Sequence, residues 1–454
     1  MSMEVDYEGE LIDTHVRQSQ HQPARLPVDD AHPFELDAYI SNYSGRTVID
    51  RLVHIISSCP TLAPQALQLA FVHIPQLRDP ELYHAVIRAY DGIATAPGVQ
   101  LPPAQEFVSV NQPWIEEQTR ANQVEKTKLE VELKTYSNNM IKESIRMGYR
   151  DLGDFLRSVG DYSASLRHYS KSREYCTTSQ HVLDMCLSVL KLLIEQRNYA
   201  HIQSYIIKAE AALESASAAN TGSAPGQPSR KNERSPTHSK LDLASALHNL
   251  GQGNYERAAT MFLRVGSADQ LGGWVGKLIS AGDIAVYGTL CALATLSRGA
   301  IKVQLLENSV FSVYIEQEPY VRDLVHAYMT NDFKSVLEIL SRYSTRHALD
   351  IHLAPHIAAL TRRIREVLVI VFLQPFATLA LSRMATSFGW DVAEAEQEVV
   401  TLIQAGRIQA RVDSQNKILR AKKQDQRAKL FADALRISEE MQRTNRKLLL
   451  RMRL

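Results

Sequence analysis

The chain has 454 residues, 45% of them apolar and 22% charged, as is typical of a folded protein with more than one domain. Lys and Arg number 51 against 50 Asp and Glu, so the net charge of +1 excludes a global attraction to nucleic acid or to an anionic membrane surface. Four scattered cysteines without a CxxC pair indicate packed thiols in a reducing compartment. The polar N-terminus and the longest apolar run, VLVIVFL at 367–373, predict neither a signal peptide nor a membrane span.

The N-terminal part of the chain is predicted to be a polar lead followed by helices. Residues 1–33 are polar and include HQPARLPVDDAHP, which predicts a disordered segment. The stretch FELDAYISNYSGRTVIDRLVHIISSC then has apolar residues at helical spacing, interrupted once at Tyr43-Ser44-Gly45, which predicts a helical hairpin. Further helices complete an N-terminal region at 34–147, in which the charged stretch from Glu116 to Gly148 predicts one long exposed helix.

Residues 148–320 are predicted to form tetratricopeptide-like helical repeats. MGYRDLGDFLRSVGDYSASLRHYSKSREYC contains two amphipathic stretches joined at Gly160-Asp161. Similar turns, each a small or amide residue followed by an apolar or aromatic one, recur at Asn198-Tyr199, Asn254-Tyr255, Asp283-Ile284 and Asp332-Phe333. Removing a disordered insertion at 215–240 brings the spacing close to the period of roughly 34 residues. Stacked hairpins would bury a continuous core and leave an extended surface for partners.

Residues 321–419 are predicted to contain helical hairpins and a winged helix at 376–419. TLALSRMATSFGW predicts a short helix ended by Gly389, and Asp391 with Glu394 predicts a capping box for the helix VAEAEQEVVTLIQAG. After Gly406, Ile408, Ala410 and Val412 alternate along a strand, the polar turn DSQNK follows, and Ile418-Leu419 begin a return strand. The predicted fold class is therefore mainly α, a helical-hairpin solenoid followed by a winged helix and a C-terminal helix.

Residues 420–454 are predicted to form that C-terminal helix. Its apolar side chains follow alternating steps of three and four, typical of a coiled-coil seam with Thr444 as one polar interruption; they are Leu430, Ala434, Ile437, Met441, Leu448 and Met452. The segment holds eleven Lys and Arg against four Asp and Glu. The apolar seam favours a helical partner over a polyanion.

A winged helix also suggests a nucleic-acid-binding protein, because its second helix can enter a major groove. Between Asp391 and Gly406, however, the chain has four acidic residues and no Lys or Arg. Because cationic side chains supply most of the affinity for a phosphate backbone, this composition disfavours nucleic acid as the partner.

The sequence contains no motif that predicts catalysis, a metal site or a cofactor site. In HALDIHLAPH, His352 and His356 lie four residues apart, but a metal site needs three or four convergent ligands, so structural histidines are favoured. Asp350 is more simply interpreted as an N-terminal cap. The chain lacks GxxxxGK[ST], GxGxxG and GxSxG, so we expect no enzymatic activity and no cofactor.

A helical-repeat array that ends in a winged helix and a terminal helix resembles the PCI-domain subunits, the scaffolds of the proteasome lid, the COP9 signalosome and a translation-initiation factor. The stretch MGYRDLGDFLRSVGDYSASLRHYSKSREYC resembles a repeat segment shared by signalosome and proteasome-lid subunits. ELDAYISNYSGRTVIDRLVHIISSCPTLAPQALQLA resembles signalosome subunits specifically. The resemblance extends from about Glu35 to the C-terminal helix, and it makes 321–419 the PCI domain.

The resemblance implies a non-catalytic scaffold of an assembly, located in nucleus and cytoplasm, that removes a ubiquitin-like modifier from the cullins of ubiquitin ligases. In that family the winged helices join edge to edge, which implies an interface at Ile408, Ala410, Val412, Ile418 and Leu419. The terminal helices join a shared bundle, which implies contacts at Leu430, Ala434, Ile437, Met441 and Leu448. The alternatives are a proteasome-lid scaffold and, from a different class, a nucleic-acid-binding protein.

Overall fold

The computed structural model describes residues 28–29, 31–96, 101–220, 235–422 and 426–452. Within these ranges the chain is mainly helical with one small sheet, so the predicted fold class is confirmed. The chain divides into two compact units, Met1–Met329 with Glu338–Ile364 and Thr330–Leu337 with Arg365–Leu454. The predicted disordered lead lies outside the described residues, apart from 28–29 and 31–33. None of the described helices is both long enough and apolar enough to cross a membrane.

The N-terminal part of the first unit is built from helices packed around one core. They are α1 (Leu36–Ile40), α2 (Arg46–Ser58), α3 (Ala63–His73), α4 (Glu81–Ala94), α5 (Ala104–Phe107) and α6 (Gln112–Asn138). The predicted hairpin is present as α1 and α2, which are joined at Gly45, where a φ of 71° favours glycine. The apolar face of α2 is buried in this core with apolar residues of α3 and α4. The long helix predicted at 116–148 is two helices, because the chain turns at Met140 with a φ of 56°.

The helical repeats follow in the first unit. Their helices are α7 (Lys142–Val159), α8 (Tyr162–Ser172), α9 (Ser179–Glu195), α10 (Ile202–Asn220), α11 (Pro236–Gly251), α12 (Tyr255–Arg264), α13 (Ala268–Leu271), α14 (Ala281–Thr295), α15 (Arg298–Ile301), α16 (Ser309–Glu316) and α17 (Pro319–Thr330). The turns predicted at Gly160-Asp161, Asn198 and Asn254 lie between helices. The turn predicted at Asp283 was wrong, because Asp283 lies in the first turn of α14 and forms a capping box with Ser280.

The insertion predicted to be disordered at 215–240 is shorter than expected. Helix α10 continues to Asn220 and α11 begins at Pro236, while 221–234 lie outside the described residues. Ser239 is fully buried, and its hydroxyl donates a hydrogen bond to Gln270 Oε1 at 2.7 Å. The prediction was therefore wrong at both ends of the segment, where low sequence complexity concealed helix continuation.

The remaining elements lead to the C-terminus. They are α18 (Phe333–Arg342), α19 (Ser344–Ala348), α20 (Ile357–Leu373), β1 (Thr378–Ala380), α21 (Leu381–Phe388), α22 (Val392–Gln404), β2 (Ala410–Asp413), β3 (Ile418–Ala421) and α23 (Gln426–Met452). An aromatic cluster lies in the second unit: Phe333 stacks on Phe388 with ring centroids 5.2 Å apart, and Phe372 contacts both edge-on.

The winged helix is present, with two local differences from the sequence prediction. Thr378–Ala380 is a strand, because its backbone pairs with β3, so the first helix begins only at Leu381. The predicted capping box is absent, since the Asp391 side chain makes no cap hydrogen bond and Glu394 instead pairs with Arg365. The stops predicted at Gly389 and Gly406 are present, and both glycines have a φ of 69°.

Candidate subunit interface

The sheet of the winged helix has the order β1-β3-β2, so β3 is its central strand. Val412 of β2 pairs with Leu419 of β3, and Leu379 of β1 pairs with Leu419 from the other side. The return strand, with Ile418 and Leu419, therefore has its backbone paired within the chain and is not an edge. This corrects the sequence prediction, which missed β1.

Strand β2 is an edge of this sheet over the described residues. It contains two of the predicted interface residues, Ala410 and Val412, which are both partly exposed, while Ile408 precedes the strand. An edge strand presents unpaired backbone groups that can hydrogen-bond to a strand of another chain. Of the predicted residues, the geometry therefore leaves Ala410 and Val412 in an edge strand, while β1 is the other edge of the sheet. The interface role itself stays a prediction.

The acidic residues of α22 are engaged in contacts within the second unit. Arg365 Nη2 contacts Glu394 at 2.9 Å and Glu398 at 2.8 Å. Lys417 Nζ donates a hydrogen bond to Glu396 Oε2 at 2.6 Å, and this hydrogen bond lowers the pKa of Glu396. The carboxylates hold α22 to its neighbours within the unit, and they give this helix a surface that does not suit a phosphate backbone.

Helix α23 presents its apolar side chains to solvent. All five predicted bundle residues, Leu430, Ala434, Ile437, Met441 and Leu448, are exposed, with Leu430 at 69% and Leu448 at 50%. Every other residue of α23 whose side chain is described is also exposed, apart from the partly exposed Asp433. In this structure the seam of α23 is therefore uncovered along its length.

A second apolar column on α23 was missed by the sequence prediction. Phe431, Leu435 and Leu449 are more than half exposed and lie about 100° around the helix from the predicted seam. The signal was present in the sequence, because each of these three residues directly follows a predicted seam residue. An apolar stripe of this width resembles the buried face of a helix inside a bundle more closely than a narrow two-helix seam.

A buried cluster in the first unit was not predicted from the sequence. We define the Arg51 cluster as Arg51, Asp283, Asp350, Tyr43 and Tyr287. Arg51 Nη2 donates to Asp283 Oδ2 at 2.9 Å, and Nη1 donates to Asp350 Oδ2 at 2.6 Å. Tyr43 donates its hydroxyl to Asp283 at 2.6 Å, and Tyr287 donates to Asp350. The cluster ties α2 to α14 and to the turn after α19.

Burial and pairing have opposite effects on the carboxyl groups of this cluster. Burial raises the pKa of Asp283 above its ordinary value, although Arg51 opposes the shift. Burial acts in the same direction on Asp350, but Arg51 and the hydrogen bonds hold its pKa below the ordinary value. The Arg51 guanidinium hydrogen-bonds to both carboxyl groups of the cluster, so the cluster depends on Arg51. The sequence signal was an arginine on the apolar face of α2, between Val48 and Ile55.

The histidines of HALDIHLAPH make structural contacts in the first unit. His347 Nε2 lies 3.0 Å from the hydroxyl of Tyr320, and His352 Nδ1 lies 2.5 Å from that of Tyr199. His356 lies near the hydroxyl of Tyr255 at 3.3 Å. Burial lowers the pKa of His347 and of His352 to about 3. These contacts support the prediction that the histidines are structural.

No candidate metal or thiol chemistry emerges from the described residues. In these ranges no three His, Cys, Asp or Glu side chains are arranged to hold a metal ion. Cys59, Cys186 and Cys291 are buried and Cys176 is partly exposed. Burial raises the pKa of Cys291 to about 12, so this thiol is poorly suited to act as a nucleophile.

Two protein-family models match the chain. The model described as 26S proteasome subunit RPN7 matches residues 111–304, which cover α6 to the start of the segment after α15. The model described as PCI domain matches residues 319–423, beside the 321–419 predicted for this module. The second match includes the whole three-stranded sheet and ends before α23.

Similarity to individual proteins extends over nearly the whole chain. COP9 signalosome complex subunit 1 of Arabidopsis thaliana is 34% identical over 457 residues, covering 100% of this chain and 97% of the relative. Subunit 1b of the same complex from Drosophila melanogaster is 32% identical, covering 92% and 84%. A 26S proteasome non-ATPase regulatory subunit 6 homolog of Arabidopsis thaliana is 19% identical, covering 82% and 90%. The chain belongs to the COP9 signalosome subunit 1 family.

Proposed function

We propose that the chain is a non-catalytic scaffold subunit of a COP9 signalosome and supports removal of a ubiquitin-like modifier from the cullins of cullin-RING ubiquitin ligases. The observation that carries the scaffold role is α23, a helix of 27 residues in which every apolar side chain that the structure describes is exposed. A helix in a protein gains most of its stability from the packing of its apolar face against other elements. Because the apolar face of α23 is exposed in the free chain, α23 needs a partner. Family membership supports the other subunits of the complex as that partner.

The proposed partners are other PCI-domain subunits. Helix α23 joins a bundle with their C-terminal helices, and the edge strand β2 pairs with a neighbouring winged helix. Cullin-RING ligases contact the assembly as substrates, so their link to this chain is indirect. Small molecules, membranes and nucleic acid are not proposed as partners. We propose location in nucleus and cytoplasm, where the substrate ligases act.

The proposed role is non-catalytic, with the chemistry that removes the modifier on another subunit. The absence of a catalytic sequence motif in the 454 residues supports this division of labour. Scaffold contacts and catalytic contacts are then separable, so a variant in the chain changes the yield of assembled complex without changing the chemistry within it.

The experiment is affinity purification of the tagged chain from its native cells, followed by mass spectrometry and by an assay of cullin deneddylation. The test variant is Leu430→Asp with Ile437→Asp, which places two carboxylates in the seam. The matched control is Ala432→Asp with Arg443→Gln, which changes the charge equally on the opposite side of α23. We expect the wild type and the control to carry signalosome subunits and deneddylating activity, and the test variant to lose both.

Other outcomes would replace this function. Co-purification with proteasome base subunits would establish the proteasome-lid alternative. Binding of DNA with a steep dependence on salt concentration would favour the nucleic-acid-binding alternative. Normal co-purification of the test variant would contradict the bundle role of α23.

A further inference from the structure

A second exposed apolar surface lies in the first unit, on the segment between α15 and α17. We define the 303–313 patch as Val303, Leu306, Val310 and Val313, which are 59%, 45%, 39% and 55% exposed. The four residues fall within eleven positions and belong to two short helical pieces, the turn Lys302–Leu306 and α16, which are separated at Glu307 and Asn308. Each piece presents two exposed apolar side chains that lie three residues apart.

The opposite side of this segment is anchored in the core. Leu305, Phe311 and Tyr314 are buried, and the hydroxyl of Tyr314 donates to the carbonyl of Gly266 at 2.6 Å. Asn308 Nδ2 donates to the carbonyl of Leu263 at 3.0 Å. The inner contacts fix the orientation of the outer side chains, so the patch is organised before any partner binds.

The backbone beneath the patch contains a π-helical turn at Lys302–Leu306, followed by α16. In that turn the amide of Glu307 donates to the carbonyl of Lys302 at 3.0 Å. Single π-helical turns are rare in proteins, and those that occur are often found at functional sites. Here the wider turn connects α15 to α16 while Val303 and Leu306 stay on the solvent side with Val310 and Val313.

The charges beside the patch indicate the chemistry of its partner. The exposed carboxylates Glu307 and Glu316 flank the patch in sequence, the first directly after Leu306 and the second three residues after Val313, and Lys302 is the flanking cation. The flanks are therefore more acidic than basic. An anionic membrane surface is disfavoured by these carboxylates, while a helix with an apolar seam and flanking Lys or Arg residues is complementary to them.

We infer that the 303–313 patch is a second docking surface, for a helix of another subunit that carries an apolar heptad seam with basic flanking residues. The inference rests on the proposed function, because the patch is too small to hold a partner alone. Four half-exposed aliphatic side chains present on the order of a few hundred Å², against roughly 800 Å² per partner in a stable interface. The patch therefore acts together with a larger contact such as that of α23.

Leu306, Val310 and Val313 lie between the two family-matched ranges, since one ends at residue 304 and the other begins at 319, while Val303 lies at the end of the first range. A contact there would position the repeat region of this chain against a neighbouring subunit, separately from the winged helix and α23. The 303–313 patch and α23 lie in separate segments of the sequence, so substitutions can disrupt one contact without changing residues of the other.

The test is hydrogen–deuterium exchange of the free chain and of the purified complex, with zero-length crosslinking of carboxylates to lysine amines. We expect amide exchange at 303–317 to slow at least fivefold on assembly, and Glu307 or Glu316 to crosslink to a lysine of another subunit. In Val310→Asp with Val313→Asp, assembly through α23 persists while the protection and the crosslink are lost. The control, Val124→Asp with Val131→Asp, replaces two exposed valines of α6 and keeps both signals.

Each outcome decides between the two proposals. Protection of α23 without protection at 303–317 would overturn the second docking surface and leave the proposed function intact. Failure of the wild-type chain to bring down any signalosome subunit would overturn the proposed function and, with it, this inference. Self-association of the free chain that disappears in Val310→Asp with Val313→Asp would assign the patch to a second copy and also overturn it.

Discussion

Helices α2 and α23 are both amphipathic, but the apolar face of α2 is buried and that of α23 is exposed. The apolar face of α2 is covered by residues of the first unit, and even Arg51 on that face is fully buried and paired. The apolar stripe of α23 is exposed along the helix. An amphipathic pattern therefore predicts that a helix will be covered, but not whether the cover comes from the same chain.

The contrast extends to the polar residues of the two helices. Arg51 of α2 lies between two buried aspartates, so its charge is balanced inside the fold. The charges of α23 remain exposed, and its ion pairs, such as Arg443 with Glu439 at 3.9 Å, are long and surface-located. We expect substitutions on the buried face of α2 to lower the free energy of unfolding, and substitutions on the apolar face of α23 to lower the yield of assembled complex.

The largest expected effect is on assembly. For Leu430→Asp with Ile437→Asp, the free energy of unfolding of the free chain should change by no more than about 0.5 kcal/mol, because both side chains are exposed. The yield of co-purified subunits should fall at least tenfold. Urea unfolding of the free chain and quantitative mass spectrometry of the purified complex measure the two effects. Destabilisation of the free chain by several kcal/mol would mean that the chain itself covers the seam.

The next effect is on folding. Arg51→Met should destabilise the first unit by about 3–5 kcal/mol, because it leaves Asp283 and Asp350 buried without a cation. Urea unfolding of the free chain would measure this, with the exposed Arg88→Met as control. Adding Asp283→Asn and Asp350→Asn to Arg51→Met should restore part of the loss. An Arg51→Met variant as stable as the control would show that the cluster is not a determinant of folding.

A smaller effect is expected from pH. Burial holds the pKa of His347 and of His352 at about 3 in the fold, whereas histidine in an unfolded chain titrates near 6.5. Between these values each of the two histidines binds more protons in the unfolded chain, so their contribution to stability should fall as the pH falls from 6.5 towards 3. The slope is about 1.4 kcal/mol per pH unit for each histidine.

Urea unfolding between pH 7 and pH 5 measures this slope. His352→Gln should make it shallower than in the wild type, since glutamine does not titrate. A slope that is equal in the two proteins would show that His352 does not contribute to it.

The smallest effect concerns the segment that the sequence predicted to be disordered. Ser239→Ala removes the buried hydrogen bond to Gln270 and should cost about 1 kcal/mol. Ser215→Ala, at the exposed end of α10, should cost less than half of that. Equal stability of the two variants would show that the hydrogen bond of Ser239 does not stabilise the fold.

The sequence predicted the fold class and the winged helix because apolar periodicity and glycine stops are local signals. It missed β1, since TLAL was interpreted as the start of a helix and only pairing with β3 makes it a strand. For the same reason it placed Ile418 and Leu419 at an edge, although they lie in the central strand. The five bundle residues were predicted as a periodic set, and their exposure was visible only in the structure, while their interface role stays a prediction.

The sequence by itself determined where helices form, where glycine ends them, and that the chain carries no known catalytic motif, because these properties depend on residues a few positions apart. Tertiary structure decided which amphipathic faces the chain covers itself. It also decided that Arg51 pairs with aspartates 232 and 299 positions away, and that β3 is the central strand of the wing sheet while β1 and β2 are its edges. Such outcomes depend on contacts between distant segments, and no local pattern encodes them.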